Sequence, residues 1–246
     1  MKNKAMILAL FFASVFIIAQ SCSKEATVVT PPDYSLAEEF DTVSNAVAKG
    51  WIIKNNTLPL GTMSWEQGYF YFSIAHTYKF LVGPINYPSA GGFGSNNPSF
   101  SGTDFIMTTS ECGTGVAHCS NWLISPELTV KDGDVVSFYT RTYDNPTIAA
   151  DRLEVRMNDE DASTEVGKTP TSTGKFNKVL LDINPDYLLE GAASYPGNWK
   201  KYSVIITGVP DAKKTRIAFR YYVPNGGPLG ENGLGVALDK FSFQSK

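Results

Sequence analysis

Histidine is almost missing from this 246-residue chain, cysteine is scarce and charge is thin: two His, three Cys, and 18% Asp, Glu, Lys and Arg together. His76 and His118 leave little room for a histidine-based metal centre or a nucleophile-base triad. Neither a Gly-x-Ser-x-Gly elbow, nor a His-Glu-x-x-His helix, nor a phosphate-cradling P-loop occurs. Gly91-Gly92-Phe93-Gly94-Ser95 is rich in glycine but does not join a strand to a helix, so a phosphate cradle is not expected there. No basic excess exists either. The net charge of −3 and a pI near 5.5 exclude the electrostatic footprint of a nucleic-acid binder. Like charges form no long block that would point to a polyanion partner. One long apolar run is present, residues 5–19, and it falls short of the ~20 residues that span a bilayer.

That run has a meaning of its own. Lys2 and Lys4 precede it and Gln20-Ser21-Cys22 follows, the order of a secretory signal's charged, apolar and cleavage regions. The cysteine makes it resemble a bacterial lipoprotein signal over residues 1–21, with Cys22 lipidated as the mature N-terminus. Ala19 stands where the commonest such signal has Leu, and the alternative is a secretory signal cut without lipidation. Export follows in both cases. Cys112 and Cys119 remain, in an oxidising compartment, and are expected to pair as a disulfide. Two glycines ease closure of that short ring, with a stabilisation of roughly 2.5 kcal/mol. A His118–Cys119 metal or nucleophile site is disfavoured, because neighbours on an extended chain point to opposite faces.

Residues 22–34 read as a tether closed by Pro31-Pro32. Beyond it the period is two. Leu153, Val155 and Met157 alternate with Arg152, Glu154 and Arg156, and Ile217, Phe219, Tyr221 and Val223 alternate with Arg216, Ala218, Arg220 and Tyr222. Residues 135–143, 199–207 and 235–243 are also strand-like, with Gly, Pro, Asn and Asp gathered between them. No amphipathic helix is expected after the signal beyond a short turn at 182–190. Ten to twelve strands without βαβ alternation predict one all-β domain over 35–246, an antiparallel sandwich. Trp51, Trp65 and Trp122 are expected to fill the space between its sheets. The stretch 76–101 differs, being a long loop rich in Gly, Pro, Asn and aromatics, and long loops in compact domains are often functional.

An ordered set of short pieces carries a family resemblance: Glu38-Glu39-Phe40-Asp41, Gly50-Trp51, Ser64-Trp65, Ser120-Asn121-Trp122-Leu123-Ile124-Ser125-Pro126, Asp151 to Arg156, Arg216 to Tyr221 and Leu238-Asp239. Together they resemble the choice-of-anchor J domain, related to the cleaved-adhesin domains of bacterial surface proteases. The resemblance implies a jelly-roll β-sandwich like galactose-binding domains, often with structural calcium, and it implies no catalytic activity. With the lipoprotein signal it implies Bacteroidetes-type usage on the outer membrane, facing the periplasm or the cell surface.

In the related sandwiches calcium clips the first strand to the last. Glu39 and Asp41 share one strand face and Asp239 lies in the last strand, so these three, with backbone carbonyls, are the candidate calcium ligands. Sugar recognition needs aromatic platforms and planar polar groups. Tyr78, Tyr87, Phe93, Asn96 and Asn97 supply them from the long loop, with Asn225 on a second rim. The expected function is non-catalytic binding of a glycan or a surface protein, as an adhesin-like or nutrient-capture module, with the membrane reached only through the lipid. The alternatives are an assembly component of an envelope lipoprotein complex, which predicts a contiguous exposed apolar patch, and a polysaccharide hydrolase, which needs paired carboxylates across a cleft.

Overall fold

The computed structural model describes residues 32–71, 79–82, 104–142 and 149–246. The signal, Cys22, most of the tether, and Tyr78, Tyr87, Phe93, Asn96 and Asn97 lie outside the described residues. Those residues hold fifteen strands, arranged as an antiparallel β-sandwich of two main sheets. None of the described helices is long and apolar enough to cross a membrane.

The first sheet runs β12 (Lys200–Ile205), β9 (Val135–Arg141), β15 (Gly235–Gln244), β6 (Asp104–Thr109), β4 (Glu66–Tyr71) and β5 (Lys79–Val82), and β1 (Leu36–Glu38) pairs with the second half of β15. The second runs β11 (Lys178–Ile183), β10 (Leu153–Met157), β14 (Ile217–Gly226), β7 (Gly113–Ile124) and β2 (Ile52–Asn55), with β3 (Leu58–Leu60) beside β7. A separate ribbon joins β8 (Leu128–Val130) to β13 (Lys213–Thr215).

The alternation seen in the sequence sets the faces. Leu153, Val155 and Met157 of β10 and Ile217, Phe219, Tyr221 and Val223 of β14 enter the main core, where they join Val136, Phe138, Leu238, Phe241 and Phe243 of the opposite sheet. Strand β15 changes phase on the way. Val236 and Leu238 point inward, then Phe241 and Phe243 do, because the register shifts between Asp239 and Ser242. Lys240, at φ 49°, is the left-handed residue within that shift.

Trp51 and Trp65 belong to the main core, as expected, and Trp51 meets Phe40 and Phe241 edge to face at 5.0 Å. Trp122 does not. It is buried on the other side of its sheet with Ile124, Ala218, Val166 and Phe176, beneath residues 158–177. Parity is the reason: Trp122 lies opposite Arg220 across β7 and β14, on the face away from Phe219 and Tyr221.

Two local expectations are corrected. A helix does form, α1 (Val43–Ala48), placing Val43 and Ala46 in the core at a spacing of three. The 182–190 segment makes no helix: Asn184 and Tyr187 have φ of 60° and 53°, and the Asn184 side chain accepts the Leu188 N–H at 2.8 Å, closing a polar loop instead.

Candidate functional site

Three chain segments meet at one end of the sandwich. Between Leu58↔His118 and Leu60↔Gly113 the register of β3 and β7 slips, so residues 114–117 bulge out against a single proline. Thr114 donates its hydroxyl to Leu60 O at 2.9 Å. Leu229, in the β14–β15 connection, donates its N–H to Gly115 O at 3.0 Å, which ties the third segment on. The join is close enough to demand glycine. A Cβ on Gly227, at φ 83°, would stand 2.3 Å from Gly115 O, and one on Gly113 would stand 2.4 Å from the Ala117 Cβ.

This rim carries an apolar surface. Leu229 is 76% exposed, Leu58 66%, Leu60 60% and Val116 55%, four of the five most exposed large apolar side chains among the described residues. Single exposed aliphatics need no explanation, but four on adjoining segments of a tightly packed rim do. Asn225, the one expected ligand contact within the described residues, sits here too, exposed at φ 52° with its amide on Glu231 Oε2 at 2.8 Å. The apolar residues were missed in the sequence because they interrupt Gly- and Pro-rich stretches, where no period marks a face.

Behind the rim, the outer face of the second sheet carries an alternating stack of rings and guanidinium groups. Arg220 lies 4.8 Å from the Trp122 ring centroid and 3.9 Å from Tyr222, and Arg152 lies 5.3 Å from Tyr222 and 5.7 Å from Tyr187. Glu154, 3% exposed, ties the cations together, with Arg152 at 3.1 Å, Arg156 at 2.7 Å and Arg220 at 3.1 Å. Burial alone would push the Glu154 carboxyl up, but the three guanidiniums outweigh it and hold the group below its usual range. Arg152 also makes a two-pronged pair with Asp182, at 2.9 and 2.6 Å. The cations already occupy these rings, so the face is a built ladder rather than an open sugar platform.

Cys112 and Cys119 lie together beneath the rim, as the spacing predicts, but as two free, buried thiols and not as the expected disulfide. A hydrogen bond from Cys112 to Cys119 joins them; that bond and burial push the Cys112 thiol up, while the same bond lowers Cys119 against the opposing effect of burial. Thr57 Oγ1 lies 3.6 Å from Cys112 Sγ.

At the corner where β1 adjoins β15, Asp239 is buried and accepts the Lys240 N–H at 2.7 Å. Burial is the main cause that raises its carboxyl to about 7, with Glu39 and Asp41 adding repulsion. The three expected calcium ligands thus gather negative charge in one place. They do not converge: Glu39 is drawn to Lys240 at 3.3 Å, and among the described residues no group of three or more His, Cys, Asp and Glu is placed to hold an ion.

No protein-family model and no curated protein matches the chain. Among solved structures it is similar to the K1 cleaved adhesin domain of Lys-gingipain from Porphyromonas gingivalis W83, at 18% identity and TM-score 0.49, covering 86% of this chain and 98% of that one. The K3 cleaved adhesin domain of the same protein gives 16% identity and TM-score 0.49, over 87% of this chain and 100% of that one. The CBM22-1 xylan-binding domain from Paenibacillus barcinonensis gives 11% and 0.37, over 85% and 92%. At these identities and TM-scores the likeness carries no argument about what this chain does.

Proposed function

We propose that this chain is a lipid-anchored, non-catalytic envelope domain of the choice-of-anchor J kind that recognises a protein ligand through the rim of Leu58, Leu60, Val116 and Leu229. The observation that carries this reading is the exposed aliphatic patch on glycine-packed, mutually hydrogen-bonded segments. Aliphatic side chains offer no flat ring for a sugar face, whereas burying each against a protein contributes about 1.5–3 kcal/mol. Rigid presentation spares the ligand the cost of ordering loops. Asn225 and Glu231 supply polar contacts at the edge of the patch.

The test compares the wild-type chain with Leu58→Asp/Leu229→Asp in capture from the native envelope and on a glycan array. A discrete protein held by the wild type and lost by a variant of unchanged melting temperature supports the reading. A saccharide bound equally by both proteins moves recognition to the glycan reading and away from this rim.

A further inference from the structure

Asp151 is the most enclosed carboxyl at the base of the rim. It is 1% exposed, and Oδ1 accepts three hydrogen bonds, from Tyr221 OH, Leu234 N and Gly235 N, each at 2.9 Å. Its other oxygen, Oδ2, lies 2.5 Å from Thr142 Oγ1, which in turn lies 2.8 Å from Gly235 O. A threonine hydroxyl has one proton, and Gly235 O can only accept. With Asp151 ionised, Thr142 faces two acceptors with one donor, and one close contact becomes a repulsion.

A protonated carboxyl removes the conflict. Oδ2–H donates to Thr142 Oγ1, Thr142 donates to Gly235 O, and Oδ1 keeps its three donors. We infer that Asp151 is a neutral acid in the native protein at mildly acidic pH, and that its ionisation loosens the anchor of the β14–β15 rim segment. The surroundings agree. The groups facing it are Tyr221 of β14, Cys119 of β7 and the buried Tyr195, all neutral when protonated. Arg141 turns its Nε to Thr142 O at 2.9 Å, and among the described residues no cation pairs with Asp151. Burial, only partly offset by the four hydrogen bonds, raises the group to about 6.

The site is placed to act as a latch. Asp151 holds Leu234 and Gly235, and Gly233 donates to Ala150 O at 2.9 Å, so residues 150–151 grip the returning end of the rim segment. Because the folded carboxyl is raised, its contribution is whole below about 4 and is lost as pH climbs through about 6.

Asp151→Asn tests this directly, since an amide reproduces the protonated pattern: Nδ2 donates to Thr142 and Oδ1 accepts three. The expected result is a variant as stable as wild type near pH 3.5, below the range in which the raised carboxyl loses its contribution. At pH 8 it is more stable by on the order of 100-fold in the folding equilibrium constant, with slower amide exchange at Leu234 and Gly235. A variant destabilised equally at both pH values overturns the inference. Should Asp151→Asn not fold, carbon-13 NMR of aspartate-labelled Asp239→Asn protein decides. One Asp Cγ titrating near 6 supports the inference, and every Asp ionised by pH 5 refutes it. The test is independent of the rim's ligand, so its failure leaves the binding reading untouched.

Discussion

Glu154 and Gly227 show how single residues fix this molecule. Glu154 satisfies three guanidiniums on a face that looks, in the sequence, like the solvated side of an alternating strand. The alternation in 152–157 and 217–223 was legible because period two is a property of any strand. That the polar side is buried beneath 158–177 was not, because the cover is a segment without period. Arg220→Ala removes the centre of the ladder, leaving Trp122 and Tyr222 without their cation and Glu154 short of one partner. The expected cost is about 3 kcal/mol, read by denaturant unfolding, with Arg220→Lys recovering only part of it because an ammonium cannot bridge two rings and a carboxylate in one plane. Gly227→Ala, at φ 83° and with its Cβ 2.3 Å from a carbonyl, is expected to destabilise by more than ~1 kcal/mol, where the same change at an unstrained position would stabilise. Its effect should appear first as faster amide exchange at Leu229.

At the scale of elements, the central strands β10, β14 and β15 fall within two or three residues of where alternation and β-branched content place them. Short edge pieces were less legible. The six-residue α1 hides between Asp41 and Gly50, with only Val43 and Ala46 to mark it, and β3 is a Leu-Pro-Leu that reads as a loop. The candidate site depends on these same minor elements. Sequence reasoning placed recognition on Tyr78, Tyr87 and Phe93, which lie outside the described residues, and reached the rim only through Asn225; within that expected loop, residues 79–82 form strand β5 instead. Aliphatic residues in glycine-rich turns look like interruptions until register brings Leu58, Val116 and Leu229 to one end.

For the whole molecule, β1 and β15 join the start of the domain to its end, and Asp239 stands where they meet. Calcium at this corner is proposed as a stabiliser that would favour the ionised form of Asp239. Millimolar calcium is then expected to raise the melting temperature, more at pH 8 than at pH 5, through preferential binding to the folded state. Asp239→Asn should abolish that rise, and equal melts with calcium and with chelator at pH 8 would refute the proposal. The sign is set by Asp239 itself: its raised carboxyl, about 7, costs stability as pH climbs, and a bound cation offsets that loss.

As proposed, the glycine-packed end of the sandwich is the surface that meets a partner at the envelope. Capture from native envelope by the purified domain, side by side with Leu58→Asp/Leu229→Asp, tests it most directly. The account predicts a discrete protein retained by the wild type at moderate salt and released by the variant, whose melting temperature is unchanged because both side chains face solvent. Retention of the same protein by both would contradict it, since the rim would then contribute nothing to recognition.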